Sequence, residues 1–127
     1  MKKIIFTKNA PEPVGPYSQA VEKNGMLFIS GQIGIDPSTG KLVAGDVSEQ
    51  TDMVLKNIQA IVSEAGYGYN LQNILKCTIY LKDMAYYADM NSVYSKYFSS
   101  DAPARAAFAV RELPLDVMVE IEAIAMR

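Results

Sequence analysis

The sequence predicts a two-layer α+β domain, a sheet of five or six strands covered on one face by two helices. Three observations carry this. Only two stretches repeat their apolar residues at helical spacing. Several shorter stretches alternate with the period of a half-buried strand. Their order along the chain is strand, strand-strand, helix, strand, helix, strand-strand. Two helices cannot cover both faces of such a sheet, so one face is left for another role. The 127 residues, half of them apolar and a fifth charged, make a single domain (1–127) that can bury a core without disulfide or zinc staples.

The elements follow in order. A short apolar segment, Lys3 to Thr7, precedes Ala10-Pro11-Glu12-Pro13-Val14-Gly15-Pro16, where three prolines and a glycine forbid helix and predict an ordered loop. Ser18 to Glu22 and Met26 to Ser30 read as strands, joined through Lys23-Asn24-Gly25, whose Asn-Gly pair marks a tight hairpin. Gly31 to Asp46 holds Asp36-Pro37-Ser38-Thr39-Gly40 and Ala44-Gly45-Asp46, both turn chemistry, and predicts a surface loop leading to a helix start. From Val47 to Ala65 the residues Val54, Ile58, Ile61 and Ala65 fall at helical spacing, with Lys56, Asn57, Gln59, Ala60, Ser63 and Glu64 mostly on the other side. Gly66 is a natural stop. Ile74 to Leu81 alternates, placing Leu75, Cys77, Ile79 and Leu81 on one face and Lys76, Thr78 and Tyr80 on the other. A second helix from about Ala85 to Phe98 presents Tyr86, Met90, Val93, Tyr94 and Tyr97. Two final strands, Ala104 to Arg111 and Val117 to Met126, are separated only by Glu112 to Asp116 and read as hairpin neighbours. On the last strand Val117, Val119, Ile121, Ala123 and Ala125 form one side; Met118, Glu120, Glu122, Ile124 and Met126 form the other. That second side is neither clean core nor clean surface, which makes it a candidate for association between subunits.

Composition excludes several functions. Twelve basic against fourteen acidic side chains leave a net charge of −2, which argues against attachment to nucleic acid through phosphate charge. There is no histidine. That removes Ser-His-Asp and Cys-His nucleophile systems, the common ribonuclease acid/base pair, and zinc sites that need imidazole. The single cysteine, Cys77, excludes an internal disulfide or a multi-thiolate metal site and fits a reducing compartment. Thr7, Lys8 and Asn9 end the N-terminal apolar run too early for a signal peptide, and no stretch approaches the roughly 20 apolar residues of a membrane span. The expectation is a cytoplasmic protein that needs neither metal nor cofactor.

Polar chemistry therefore falls to residues that break the pattern of their element. Arg105 opens the otherwise small or apolar strand Ala106-Ala107-Phe108-Ala109-Val110, and is either a rim charge or a two-pronged fork for an anion. Glu120 and Glu122 share a strand face: either both are solvated at an edge, or they are a carboxylate pair in which burial and like charge raise one pKa toward acid/base work. Ser30-Gly31-Gln32 ends a strand where glycine allows close approach of a ligand, although Ser and Gly also suit a simple turn. Tyr17 either walls a pocket or caps the core. Cys77, on an apolar strand face, reads as a buried structural thiol.

Four blocks in this order and spacing, Gly15-Pro16-Tyr17-Ser18-Gln19-Ala20, Ser30-Gly31-Gln32, Pro103-Ala104-Arg105 and Glu120-Ile121-Glu122-Ala123-Ile124-Ala125, resemble the RidA (YjgF) family of reactive-intermediate deaminases, from about Ala10 to the C-terminus. The resemblance implies a chorismate-mutase-like two-layer sandwich, a mixed sheet of about six strands with two helices on one face. It also implies a homotrimer with a central barrel and sites in clefts between subunits. The implied activity is hydrolysis of 2-imino acids, such as 2-iminobutanoate and 2-iminopropanoate, to 2-keto acids and ammonia. Carried over by position, Arg105 grips the substrate carboxylate and Glu120 activates the attacking water. Tyr17, Ser30, Gly31 and Asn91 match pocket-lining positions, and Tyr87 falls where the family often has phenylalanine. Ala107 departs from the pattern, because many imine-hydrolysing relatives carry cysteine there. That departure bears on substrate range and rate and leaves the reaction class intact.

The rival reading is a binding or sensing protein for a small carboxylate such as a keto acid, using the same cleft with Glu120 idle. Chaperone and ribonuclease roles, claimed for relatives, find no support in this composition.

Overall fold

The computed structural model describes residues 1–127. In chain order the elements are β1 (Lys3–Ile5), β2 (Ala20–Lys23), β3 (Met26–Gln32), β4 (Ile35–Asp36), β5 (Lys41–Leu42), α1 (Val47–Glu64), β6 (Ile74–Leu81), α2 (Tyr87–Tyr97), β7 (Ala104–Ala109) and β8 (Val119–Met126). Six strands form one sheet in the order β1-β2-β3-β8-β6-β7, while β4 and β5 pair separately. Every pairing is antiparallel except β6 with β7, so the large sheet is mixed. Both helices lie on one face, as the helical periods require.

The helix-covered face is the core. Leu27 and Ile29 of β3, Cys77, Ile79 and Leu81 of β6, and Val119, Ile121, Ala123 and Ala125 of β8 are buried there against Val54, Leu55, Ile58, Ile61 and Val62 of α1 and Met90 and Tyr94 of α2. Each large aliphatic side chain so buried contributes about 1.5–3 kcal/mol. Asp46 starts α1 with a capping box: its carboxylate accepts from Ser48 N at 2.9 Å, and Glu49 accepts from Asp46 N at 3.3 Å. The β2–β3 turn has φ of 53° at Asn24 and 79° at Gly25, two successive left-handed residues of the kind the Asn-Gly pair favours. The opposite face of the sheet is bare. It exposes Phe28 and Phe108 at 45% and 46%, with Ile4 and Met126 beside them.

The final two strands are not hairpin neighbours. β6 lies between them, because α2 carries the chain from β6 over the sheet to a parallel neighbour, β7, and the link from Glu112 to Asp116 then returns across β6 to β8. Leu75 also moves. Between Ile74 and Lys76, β6 gains a residue on β8, so Ile74 turns inward and Leu75 is exposed. Asn57 is fully buried, contrary to the outer face its polarity suggests, because its amide donates to Ile35 O at 2.9 Å and Ile33 O at 3.4 Å. The predicted loop from Gly31 to Asp46 contains the β4–β5 hairpin. Smaller boundary shifts place Ser18 before β2, Gly31 and Gln32 inside β3, Arg111 beyond β7 and Val117 ahead of β8. The second helix begins with a 3₁₀ turn at Met84–Tyr86.

Candidate active site

Arg105 lies on β7 opposite Cys77 of β6 in parallel register, which turns its side chain to the helix-covered face. Three residues of α2 hold the guanidinium. Nη1 donates to Asn91 Oδ1 at 2.7 Å and Nη2 to the Tyr87 hydroxyl at 2.5 Å, while the group stacks 4.9 Å from the Tyr94 ring centroid and 5.5 Å from that of Tyr87. Tyr87, Asn91 and Tyr94 reach it together because residues four and seven apart share a helix face. The partners are neutral or aromatic. Arg105 belongs to none of the ion pairs of the chain, which join Lys56 to Asp52, Lys82 to Asp116 and Arg127 to Glu22. Two of its five N–H donors are used internally, leaving three and a half-buried charge for an outside anion. Ala107, two residues on, faces the same side and packs on the rim of the core. Beneath the arginine, burial pushes the Cys77 thiol up, so it is no thiolate nucleophile.

Glu120 stands on the other face. On β8 it pairs with Tyr80, and Glu122 with Thr78, on the bare side of the sheet. Burial first, and then the charge of Glu122, raise its carboxyl above the ordinary glutamate range. A bulge in β3 brings Gly31 onto it: Ile29 pairs with Ala123 and Gln32 with Ile121, one residue more on β3 than on β8. A Cβ on Gly31 would sit 2.0 Å from Glu120 Oε2, so glycine here makes room for the carboxylate itself, not only for a ligand. Ser30 donates its hydroxyl to Ser18 O at 2.6 Å and its N–H to Gln19 O at 2.9 Å, tying the bulge to the preceding loop. Tyr17, at the end of that loop, is 50% exposed, which removes the core-capping reading. A basin of about 410 Å³ on the bare face is lined by Ser18, Ser30, Phe28, Lys76 and Glu122 among others, but by neither Arg105 nor Glu120.

The predicted site residues thus form two clusters. Arg105, Tyr87, Asn91 and Ala107 gather at the helix side; Glu120, Gly31, Ser30 and the Tyr17 loop gather at the bare side. No three cysteine or acidic side chains come together as metal ligands.

Sequence reasoning missed the buried polar groups that hold these clusters. Gln19 accepts from Thr7 N at 2.7 Å and donates to Thr7 O at 3.0 Å and Pro11 O at 2.9 Å, which anchors the loop ahead of Tyr17. Gln50 accepts from Met118 N at 2.9 Å, just before Glu120. The signal was present for α1: Gln50 and Asn57 fall on the same stripe as Val54 and Ile61, at positions reserved for core.

Comparison with known proteins gives the chain its relatives. A family model described as Endoribonuclease L-PSP matches residues 7–127. The chain is 46% identical to the 2-iminobutanoate/2-iminopropanoate deaminase of Mus musculus over 127 residues, covering all of this chain and 93% of that protein. The chain belongs to the RidA (YjgF) family. A RutC family protein of Pyrococcus horikoshii is 55% identical, covering all of this chain and 99% of the relative. Among solved structures, the yjgF gene product of E. coli superposes with a TM-score of 0.93 at 42% identity over 98% of each chain. The mixed six-strand sheet and two helices are therefore the RidA fold. No helix is long and apolar enough to cross a membrane.

Proposed function

We propose that this RidA protein hydrolyses reactive 2-imino acids, 2-iminobutanoate and 2-iminopropanoate among them, to the 2-keto acid and ammonia. The observation that carries this reading is the charge of Arg105: half-buried, oriented by neutral and aromatic partners, paired with no carboxylate, and left with three donors. A guanidinium so prepared suits a planar carboxylate. Glu120 supplies the second requirement, a carboxylate that burial and the charge of Glu122 make readier to take up a proton. It takes a proton from water as the oxygen adds to the imine carbon. Returned to nitrogen, that proton completes the tetrahedral carbinolamine; its hydroxyl proton, passed to nitrogen through the same carboxylate, then lets the carbon–nitrogen bond break as the keto C=O forms, releasing ammonia and the keto acid. The chemistry calls on no cofactor. The name of the mouse relative supports the same reaction.

Within one chain the two halves lie on opposite faces of the sheet, so the reading requires that Arg105 of one copy meet Glu120 of another. A homotrimer whose bare faces line a central barrel does this, and the exposed Phe28, Phe108, Ile4 and Met126 supply apolar surface for it. Tyr17, Ser30 and Gly31 then wall the cleft from the Glu120 side, with Tyr87, Asn91 and Ala107 on the Arg105 side.

The test is a coupled assay in which a threonine dehydratase generates 2-iminobutanoate and semicarbazide traps what remains. Wild-type protein is expected to speed the loss of trappable imine, and Arg105→Ala to abolish that effect while keeping its assembly. Equal rates with and without wild-type protein would remove turnover and leave a keto-acid binding role for the same cleft.

A further inference from the structure

Tyr87 and Asn91, one turn apart on α2, each turn an oxygen toward Arg105. A phenolic oxygen that accepts a hydrogen bond still has its own O–H to give, and the bond from Arg105 Nη2 is the one the Tyr87 hydroxyl makes within the chain. Likewise the Asn91 amide, with Oδ1 accepting from Nη1, keeps both of its N–H groups to give. The rim of the guanidinium is therefore rich in donors. A ligand there must be rich in lone pairs, and a donor on the Tyr87 ring lies beside any anion that takes up the remaining Arg105 N–H groups.

We infer that the Tyr87 hydroxyl donates a hydrogen bond to the anionic group held by Arg105, a carboxylate oxygen, and so sets affinity directly instead of forming a passive wall. This rests on the carboxylate reading of Arg105 given above. Hydrogen bonds with a charged partner are the stronger kind, so losing this one weakens carboxylate binding by about tenfold. Phenylalanine at the same position keeps the ring against the guanidinium and loses only the hydroxyl.

The experiment is calorimetric titration of the full-length protein with 2-ketobutanoate, a product that cannot turn over, in three forms: wild type, Tyr87→Phe, and a protein with 3-fluorotyrosine inserted at position 87 alone. Fluorine makes the phenol a stronger donor and a weaker acceptor. The expected result, below the pH at which the fluorophenol ionises, is about tenfold weaker binding by Tyr87→Phe and equal or tighter binding by the fluorotyrosine protein. Tyr87→Phe within twofold of wild type overturns the inference and leaves the Arg105 site standing. Fluorotyrosine that weakens binding in step with phenylalanine also overturns it, because the hydroxyl would then serve only to accept from Arg105. No binding by the wild type removes the carboxylate reading and this inference together.

Discussion

Within one chain Glu120 is a carboxylate with a like-charged neighbour and no paired cation, since Glu122 shares its face and the chain's ion pairs lie elsewhere. Burial and that neighbour both favour the protonated form. If ionised Glu120 is the base, activity falls as pH drops through its pKa, on an acid limb of kcat/KM that burial and Glu122 move up and the Arg105 of a neighbouring copy moves down. Glu122→Gln removes the like charge and should shift this limb to lower pH. An unmoved limb would mean that Glu122 has no part in setting it. Gly31 is the other residue on which the carboxylate depends. Gly31→Ala brings a methyl into the space of Oε2, so the carboxylate must turn away. Because displacement of about 1 Å can cost a hundredfold, kcat should fall by about that factor with ligand binding retained. Steady-state kinetics beside keto-acid titration reads both.

Helix α1 does more than fill the core. From one side it buries Val54, Leu55, Ile58, Ile61 and Val62; from the same stripe Gln50 grips the start of β8 and Asn57 grips the backbone beyond β3. Those are the two strands that meet at Gly31 and Glu120. Its stability should accordingly be separable from its polar ties. The capping box at Asp46 and Glu49 is exposed and far along the chain from the site residues, so Asp46→Ala should lower the midpoint of a denaturant titration and leave kcat/KM unchanged. The two bulges flanking β8, at Ser30–Gly31 on β3 and Leu75 on β6, are the element-level features that re-aim side chains.

At the scale of the whole molecule, the deciding fact is that Arg105 and Glu120 point from opposite faces of one sheet. On the proposed chemistry, neither cluster makes a complete site by itself. If sites form between copies, an Arg105→Ala chain and a Glu120→Ala chain, each inactive alone, should recover activity when unfolded together and refolded as a mixture. In a cyclic homo-oligomer each interface draws its arginine and its glutamate from separate chains, so an equal mixture should regain about one quarter of wild-type turnover. Absence of recovery in mixed oligomers would place both groups of a site in a single chain. The bare face, with its aromatic and aliphatic side chains, is where such association would bury surface.

The sequence by itself determined the α+β class, the two helices, the hairpin at Asn24-Gly25, the buried Cys77 and the inward side of β8, because each follows from a local period or a single turn and needs no distant partner. It also marked Arg105 and Glu120 as departures from their strands. Only the tertiary structure decided that β6 separates β7 from β8, since strand order depends on which nonlocal hydrogen bonds form and not on spacing along the chain. The same holds for Leu75 and Asn57. A bulge adds one residue and reverses a side chain, while a buried amide whose N–H groups donate to distant carbonyls looks on paper like a surface residue. The division of the candidate site between two faces of the sheet is likewise a product of pairing register, which no single segment encodes.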